Sequence, residues 1–353
     1  DCELSRGLGD VYKRQTSYVA SGRVSGTVQD QFSISEFRGA IRVASTTDAW
    51  GRWWISDSLN PETDEPVFSG PSNRVTILQP TSSGTLDQMG LVEGIADGER
   101  IWSARFMGDR AYLVTFENID PLWVLDLSDP VNPIILGELE VPGVSTYIHP
   151  IDESTLLTIG IGPGDDGLGL DWSMTQISLF DITDPTNPTL ADSLPISPAY
   201  ADDECQNIRT CGWAWSWSEA TYEHKAFTYW APEKMLAVPL STYRYVYDEN
   251  YYDGGYEHIS LLKLIDVDAE NLSLSEHGEI DHSSFYNDED GPNWWLYSTS
   301  IRRSIFMGDY IYAFSTLGVT IHNTSDLIHI QDMLIPGSHN IEDVVEGLSL
   351  IHI

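Results

Sequence analysis

Residues 122–133, LWVLDLSDPVNP, recur at residues 177–188 as ISLFDITDPTNP, a shift of 55 positions. In both copies a run of apolar and β-branched residues ends in an apolar-Asp step and is closed by Asp-Pro-x-Asn-Pro. Asp and Asn close turns through their side chains, while proline presets φ and forbids further ladder bonding. A third copy, LIDVDAENLSLSEHGEI from residue 264, keeps the apolar-Asp step, and its Gly278-Glu279-Ile280 matches the Gly137-Glu138-Leu139 that follows the first. A second element recurs upstream of these, FMGDRAYL at 106 and FMGDYIYA at 306, with weaker relatives at 151 and 224.

Each unit therefore reads as strand, Gly-Asp turn, strand, turn, strand with the apolar-Asp step, Asp-Pro turn, and last strand. Four short strands repeated every 40 to 55 residues are the plan of a β-propeller blade. The expected architecture is all-β, with blades near 30–95, 100–142, 145–196, 220–280 and 295–336, an incomplete ring of about five blades. Two longer spacings, one holding the cysteines and one around 243–257, are expected as inserted loops. No eleven-residue stretch carries helical apolar spacing with caps.

Composition agrees with a packed β protein. The 353 residues are 41% hydrophobic and include 12 Trp, 17 Tyr and 10 Phe. Against 54 acidic residues there are 18 basic ones, 14 Arg and only 4 Lys, giving a formal charge of -36. Such a charge opposes binding to nucleic acid or anionic lipid. No run of eighteen apolar residues is present to span a membrane as a helix.

The stretch from residue 93 to 151, EGIADGERIWSARFMGDRAYLVTFENIDPLWVLDLSDPVNPIILGELEVPGVSTYIHPI, resembles the central signature of secreted bacterial and archaeal proteins. Those proteins carry a C-terminal β-propeller domain distantly related to WD40 repeats. The resemblance continues through SLFDITDPTNP at 178 and SEATYEHKAF at 218, and begins at DQFSISEFRGAIRVAS from 30. It implies a propeller, export from the cytoplasm and an uncharacterised role, with no catalytic residue to carry over. The termini look different: LGDVYKRQ within residues 1–15 and LSLIHI at 348–353 resemble translated sequencing-adapter read-through. Both ends are thus expected to be non-native tails around a propeller fragment of residues 16–347, and the N-terminal stretch has no apolar core of a signal peptide.

Several constellations are candidates for chemistry. GPGDDG at 162–167 satisfies GxGxxG, but Asp165 and Asp166 repel phosphate and a strand-like segment follows where a phosphate cradle needs a helix. Asp165, Asp166 and Asp171 offer three carboxylates to Ca²⁺, the one cofactor the sequence suggests; their spacing is not that of an EF-hand, and a solvated acidic turn is the preferred reading. Cys205 and Cys211 suit a small loop disulfide or two free thiols, with too few partners for zinc.

On a strand, Trp213, Trp215 and Trp217 would share one face, as packing between blades or as a platform for sugar rings. The tyrosines Tyr243, Tyr245, Tyr247, Tyr251, Tyr252 and Tyr256 are interleaved with Asp248, Glu249 and Asp253 and are expected at a loop tip facing a protein or glycan partner. His149 and His224 are expected to brace turns. No GxSxG, HExxH, Walker or SxxK motif occurs. The function expected is a binding scaffold of an exported acidic protein; the alternative is an extracytoplasmic polysaccharide hydrolase or lyase, calcium-dependent in one form.

Overall fold

The computed structural model describes residues 17–47, 70–116, 120–164, 167, 169–197, 211–247, 254–282 and 300–335. They form five antiparallel sheets in chain order. The first holds β1 (Ile34–Phe37), β2 (Ala40–Thr47), β3 (Ser72–Pro80) and β4 (Leu86–Ile95). The second holds β5 (Arg100–Met107), β6 (Arg110–Phe116), β7 (Asp120–Asp126) and β8 (Ile134–Val141). The third holds β9 (Val144–Pro150), β10 (Thr155–Pro163), β11 (Leu170–Asp181) and β12 (Thr189–Pro195). The fourth holds β13 (Cys211–Trp217), β14 (Thr228–Trp230), β15 (Met235–Tyr247), β16 (Gly254–Asp268) and β17 (Ser273–Asp281); the fifth holds β18 (Arg303–Met307), β19 (Tyr310–Phe314), β20 (Gly318–Asn323) and β21 (His329–Leu334). The sheets follow the boundaries that the repeats predict, within a few residues except at the starts of the fourth and fifth.

The fourth sheet departs from the plan in two ways. Its first strand is split: β13 pairs with Ser241–Val246 of β15 and β14 with Met235–Ala237, while two short 3-10 turns at Glu219–Thr221 and His224–Ala226 interrupt them. The spacing expected as a loop around 243–257 is largely a hairpin. Its ladder runs from Met235↔Asp266 to Tyr247↔Gly254, so Tyr243, Tyr245 and Tyr247 are strand residues. Alternation of Tyr243, Tyr245 and Tyr247 with Arg244 and Val246 is a strand pattern, and the ladder satisfies backbone groups that a loop would leave to water.

The molecule divides into two compact units, Asp1–Leu156 with Gly164–Gly169 and Asp181–Leu190, and Leu157–Pro163 with Leu170–Phe180 and Ala191–Ile353. In the first, Val75, Ile77, Ile101, Ala104, Leu113 and Leu125 pack the first sheet against the second. In the second, Ala237, Leu262, Leu264, Ile301, Phe306 and Ile311 do the same for the fourth and fifth. Middle strands are buried on both faces, as β6 shows from Ala111 to Thr115, which is why they read as continuous apolar runs rather than as alternation.

Two backbone devices repeat. In the second to fifth sheets a residue at the end of the third strand, or just after it, donates its N–H to a carbonyl of the turn that precedes the second strand: Leu127 to Asp109 and Ile182 to Ser154 at 2.8 Å, Val267 to Lys234 at 2.8 Å, Thr324 to Asp309 at 2.9 Å. The acidic turns then close on themselves. Asp126 Oδ1 accepts from Ser128 N and Asp129 Oδ1 from Val131 N, and Asp181 and Asp184 do the same for Thr183 and Thr186. In the fourth sheet Asp268 alone takes Glu270 N and Asn271 N.

These turns also have a seat. A Cβ on Gly90, in β4, would stand 2.1 Å from the Pro130 carbonyl oxygen of the next sheet's Asp-Pro turn. One on Gly137, in β8, would stand 2.8 Å from Thr186 O and 2.9 Å from Pro185 O of the turn after that. In the second unit the position is Gly278, φ +158°, against Leu327 Cδ1 at 2.5 Å. Each of these glycines follows a bulged residue in its ladder, where the register slips between Ile77/Leu78, Val124/Leu125 and Leu264/Ile265. The bulge turns the last strand and the missing side chain admits the neighbouring backbone.

A polar clip marks the step into the next sheet. Asn73, fully buried, donates through Nδ2 to Ile95 O at 2.9 Å and Glu99 O at 3.2 Å, while its Oδ1 accepts from Thr46 Oγ1 at 2.7 Å. Thr46 Oγ1 in turn accepts from Ile101 N at 3.1 Å. In the second unit Ser260 Oγ accepts from Ile301 N at 2.8 Å, and Ile301 stands in the same place as Ile101 in the FMGD repeat.

Four substitutions test this frame by urea unfolding. Gly90→Ala is expected to destabilise by more than about 3 kcal/mol, because a backbone oxygen cannot yield to the new methyl, and Gly137→Ala by less; equal and small losses would show that the seats are loose. Asn73→Ala orphans several buried groups and is expected to cost about 2–4 kcal/mol, with Asn73→Asp no better tolerated.

Candidate functional site

The fourth sheet carries the largest aromatic surface that the sequence points to. Register sets Trp213 opposite Tyr245, Trp215 opposite Tyr243 and Tyr243 opposite His258, so indole, phenol and imidazole share one face across β13, β15 and β16. The Trp217 ring stacks on Tyr243 with centroids 5.3 Å apart and planes 18° apart, a diagonal neighbour on the same face. Tyr243 stacks in turn on His258 at 4.4 Å and 21°. Trp217 is half-buried and packed by this stacking, whereas Trp215 is 39% exposed.

His258 is buried and approaches Ser300 Oγ through Nε2 at 3.3 Å. Burial pushes its pKa down to about 4, so the ring is neutral near pH 7 and stacks as an uncharged aromatic.

The segment between β13 and β14 bears an ion cluster that the sequence reading passed over. Ser218 caps the first 3-10 turn and donates to Pro239 O. That holds Glu219, a buried carboxylate, against two arginines: Arg302 Nε and Nη2 reach Oε2 and Oε1 at 2.8 and 2.9 Å, and Arg303 Nη1 reaches Oε1 at 2.8 Å. Burial pushes the carboxyl up, but the bonds from Arg302 and Arg303 outweigh it and hold Glu219 below the usual carboxylate range. Tyr222, on the same segment, is 72% exposed. The one signal in the sequence was the Arg302-Arg303 doublet in a chain so short of cations.

A third cluster lies in the first unit, where β5 and β9 open their sheets. Arg105 donates through Nε and Nη2 to Ile148 O at 2.8 and 2.6 Å, with its guanidinium 4.2 Å from the Phe32 ring and 5.2 Å from that of Tyr147. Tyr147 OH lies 3.3 Å from His149 Nδ1. Burial, and then the Arg105 charge, push His149 down to about 4. His149 therefore belongs to a side-chain cluster with Tyr147 and Arg105.

Of the carboxylates considered for calcium, Asp171 directs Oδ1 to Ser173 N at 2.9 Å and Ser173 Oγ at 2.7 Å, a local turn, and Asp165 and Asp166 lie outside the described residues. Among the described residues no three His, Cys, Asp or Glu gather around a common point to hold a metal ion. The segment after GPGDDG is β11, a strand, where a phosphate-binding loop needs a helix. Cys205, Tyr251 and Tyr252, and the side chains of Cys211, Trp213 and Tyr247, also fall outside the described residues. No helix among the described residues is long and apolar enough to cross a membrane.

Five repeated antiparallel sheets with their turns seated on the preceding last strands define a β-propeller, a fold suited to interaction scaffolds. The profile of the beta propeller domain family matches residues 10–327, and the chain belongs to that family. An uncharacterized protein of Methanocaldococcus jannaschii is 32% identical over 297 residues, 84% of this chain and 35% of that protein. One of Archaeoglobus fulgidus is 32% identical over 246 residues, 70% of this chain and 30% of that protein. The chain spans about a third of the length of these relatives. Among solved structures, a eukaryotic initiation factor aligns with TM-score 0.40 at 7% identity, over 87% of this chain and 55% of that one. Sqt1 from Chaetomium thermophilum aligns with TM-score 0.34 at 10%, over 83% and 69%.

The buried histidines set a pH response. His149, His258 and His282 have folded pKa values near 4 against 6.5, so the unfolded chain takes up protons first as pH falls. Stability is full above pH 6.5 and declines between about 6.5 and 4, His258 alone contributing up to about 3 kcal/mol of the loss. The turn carboxylates Asp129, Asp181, Asp184 and Asp268, held low by hydrogen bonds, add their loss only below the ordinary value of 3.8. A melting temperature that is the same at pH 7.5 and 4.5 would contradict this, and His258→Phe is expected to flatten the decline.

Proposed function

We propose that this chain is the binding scaffold of an exported acidic protein, and that Trp215 on the fourth sheet is its contact with a flat partner surface, a sugar ring or an exposed peptide side chain. The observation that carries this is the contrast within one aromatic face. Trp217, Tyr243 and His258 are stacked into a rigid base, and Trp215 beside them is left in contact with solvent. An aromatic anchor held by neighbours that cannot move loses little conformational entropy on binding. Export is supported by the charge of -36 with 4 lysines, which suits a surface kept soluble in a salty exterior, and by the resemblance carried by residues 93–151.

Glycan and peptide arrays probed with the full-length protein test the reading. Trp215→Ala is expected to weaken the strongest signals at least about tenfold while leaving the melting temperature within a degree or two, since the side chain is partly exposed; an unchanged array profile would overturn the assignment. Fractionation of cells making the full-length protein tests export, which recovery in the cytosol would refute. Repulsion among the surface carboxylates predicts a melting temperature that rises from 10 mM to about 0.5 M salt as screening shortens its range.

A further inference from the structure

A cleft in the first unit, independent of the Trp215 face, has the makings of a ligand site. It lies between the β1–β2 turn and the β7–β8 turn and encloses about 120 Å³, the liquid volume of about four water molecules. Its floor is apolar, with Phe37, Ile77, Met89 and Leu127, and Gln79 and Ser128 add polar groups. The cations are two arginines with different situations.

Arg42 is 4% exposed. Its guanidinium lies 4.8 Å from the Phe37 ring and 5.0 Å from that of Phe106, with Nη1 donating to Gly108 O at 2.5 Å and Nη2 to Ser35 Oγ at 2.9 Å. Neither acceptor is a carboxylate, and Nε, also buried, has no hydrogen-bond partner. A buried cation without its own anion and with an orphaned donor is costly unless something completes it. Arg38 lies at the rim, its side chain 68% exposed, and clasps Asp109 through Nη1–Oδ1 at 2.9 Å and Nη2–Oδ2 at 3.3 Å. Two guanidinium groups thus face one carboxylate, leaving the cleft one positive charge in a chain of net charge -36.

We propose that this cleft binds a short aliphatic carboxylate, the size of propionate or of a glutamate side chain, with Arg42 and Arg38 as cationic contacts and Phe37, Ile77, Met89 and Leu127 as apolar walls. The incoming carboxylate gives Arg42, which now feels only the Asp109 charge clasped by Arg38, an anion of its own, and replaces Asp109 on Arg38. That exchange is cheap because the Arg38–Asp109 pair is solvent-exposed and weak. The aliphatic part covers the floor, which favours such a ligand over phosphate or a hydroxylated ring. Asp109 is therefore an internal competitor, and removing its charge should help the ligand where removing that of Arg38 should harm it.

Ligand-observed NMR titration of propionate into the full chain at low salt tests this, with N-acetylglutamate amide and inorganic phosphate in parallel. The expected dissociation constant is about 1–10 mM, which five heavy atoms can support. Asp109→Asn is expected to tighten binding about fivefold, Arg38→Gln to weaken it about fivefold or more, and Arg42→Gln to abolish it. Should Arg42→Gln fail to fold, the opposite shifts of the two rim variants decide. Saturation by capped glutamate as well as propionate identifies an acidic side chain of a partner as a source; saturation by propionate alone identifies a free acid. No saturable binding in the wild type and Asp109→Asn, a loss in both rim variants, or phosphate binding as tightly as propionate overturns the proposal. Trp215→Ala leaves propionate binding unchanged, so failure here and failure of the aromatic contact are separate results.

Discussion

The close approach of an Asp-Pro turn to a glycine on the preceding sheet is the constraint on which the rest of this structure depends. Gly90 faces Pro130, Gly137 faces Pro185 and Thr186, and Gly278 faces Leu327. Where a glycine is missing the contact changes kind: Asp192, 55 residues after Gly137, occupies the position in β12 and reaches across to accept from Leu274 N at 2.7 Å. A turn that can come within van der Waals distance of a strand backbone fixes the spacing of two sheets, and that spacing decides which apolar side chains interdigitate between them. The polar clips from Thr46 and Ser260 onto Ile101 and Ile301 then set where the next sheet begins.

The charge of the protein is partly architectural. Asp126, Asp129, Asp181, Asp184, Asp268 and Asp326 each accept a backbone N–H at a turn, so a share of the acidity is consumed in closing the chain on itself. The arginines are used as arginines. Arg42 and Arg105 lie over aromatic rings while donating to carbonyls, and Arg302 grips Glu219 with two nitrogens. Planar, weakly hydrated guanidinium groups do this where a strongly hydrated ammonium would not, which accounts for 14 Arg beside 4 Lys.

The sequence was legible wherever a property is local. Turn chemistry and strand patterning repeat at fixed spacing, so the four-stranded unit, its count and most of its boundaries could be read from LWVLDLSDPVNP and its copies. The Gly-Glu step at 137 and 278 was visible as part of the repeat, yet its role as a seat was not, because the atom it admits lies about 50 residues further along. The insertion at 243–257 read as a loop because it lengthens the spacing between repeat units; cross-strand pairing of β15 with β16 made it largely a hairpin.

Sites were less legible, for the same reason carried further. Alternation in GWAWSW predicts that its indoles share a face, but only the tertiary structure shows Trp217 stacked on Tyr243, Tyr243 on His258, and Trp215 39% exposed beside them. His149 sits beside Arg105, 44 positions away, and Glu219 meets Arg302 and Arg303 more than 80 positions away. What the chain determined by itself was its class, because hydrogen-bonding side chains and proline act on their own neighbours. What tertiary structure decided was which charges are paired, which rings are covered and which two arginines share one carboxylate, because burial and Coulomb energy depend on distances that sequence separation does not measure.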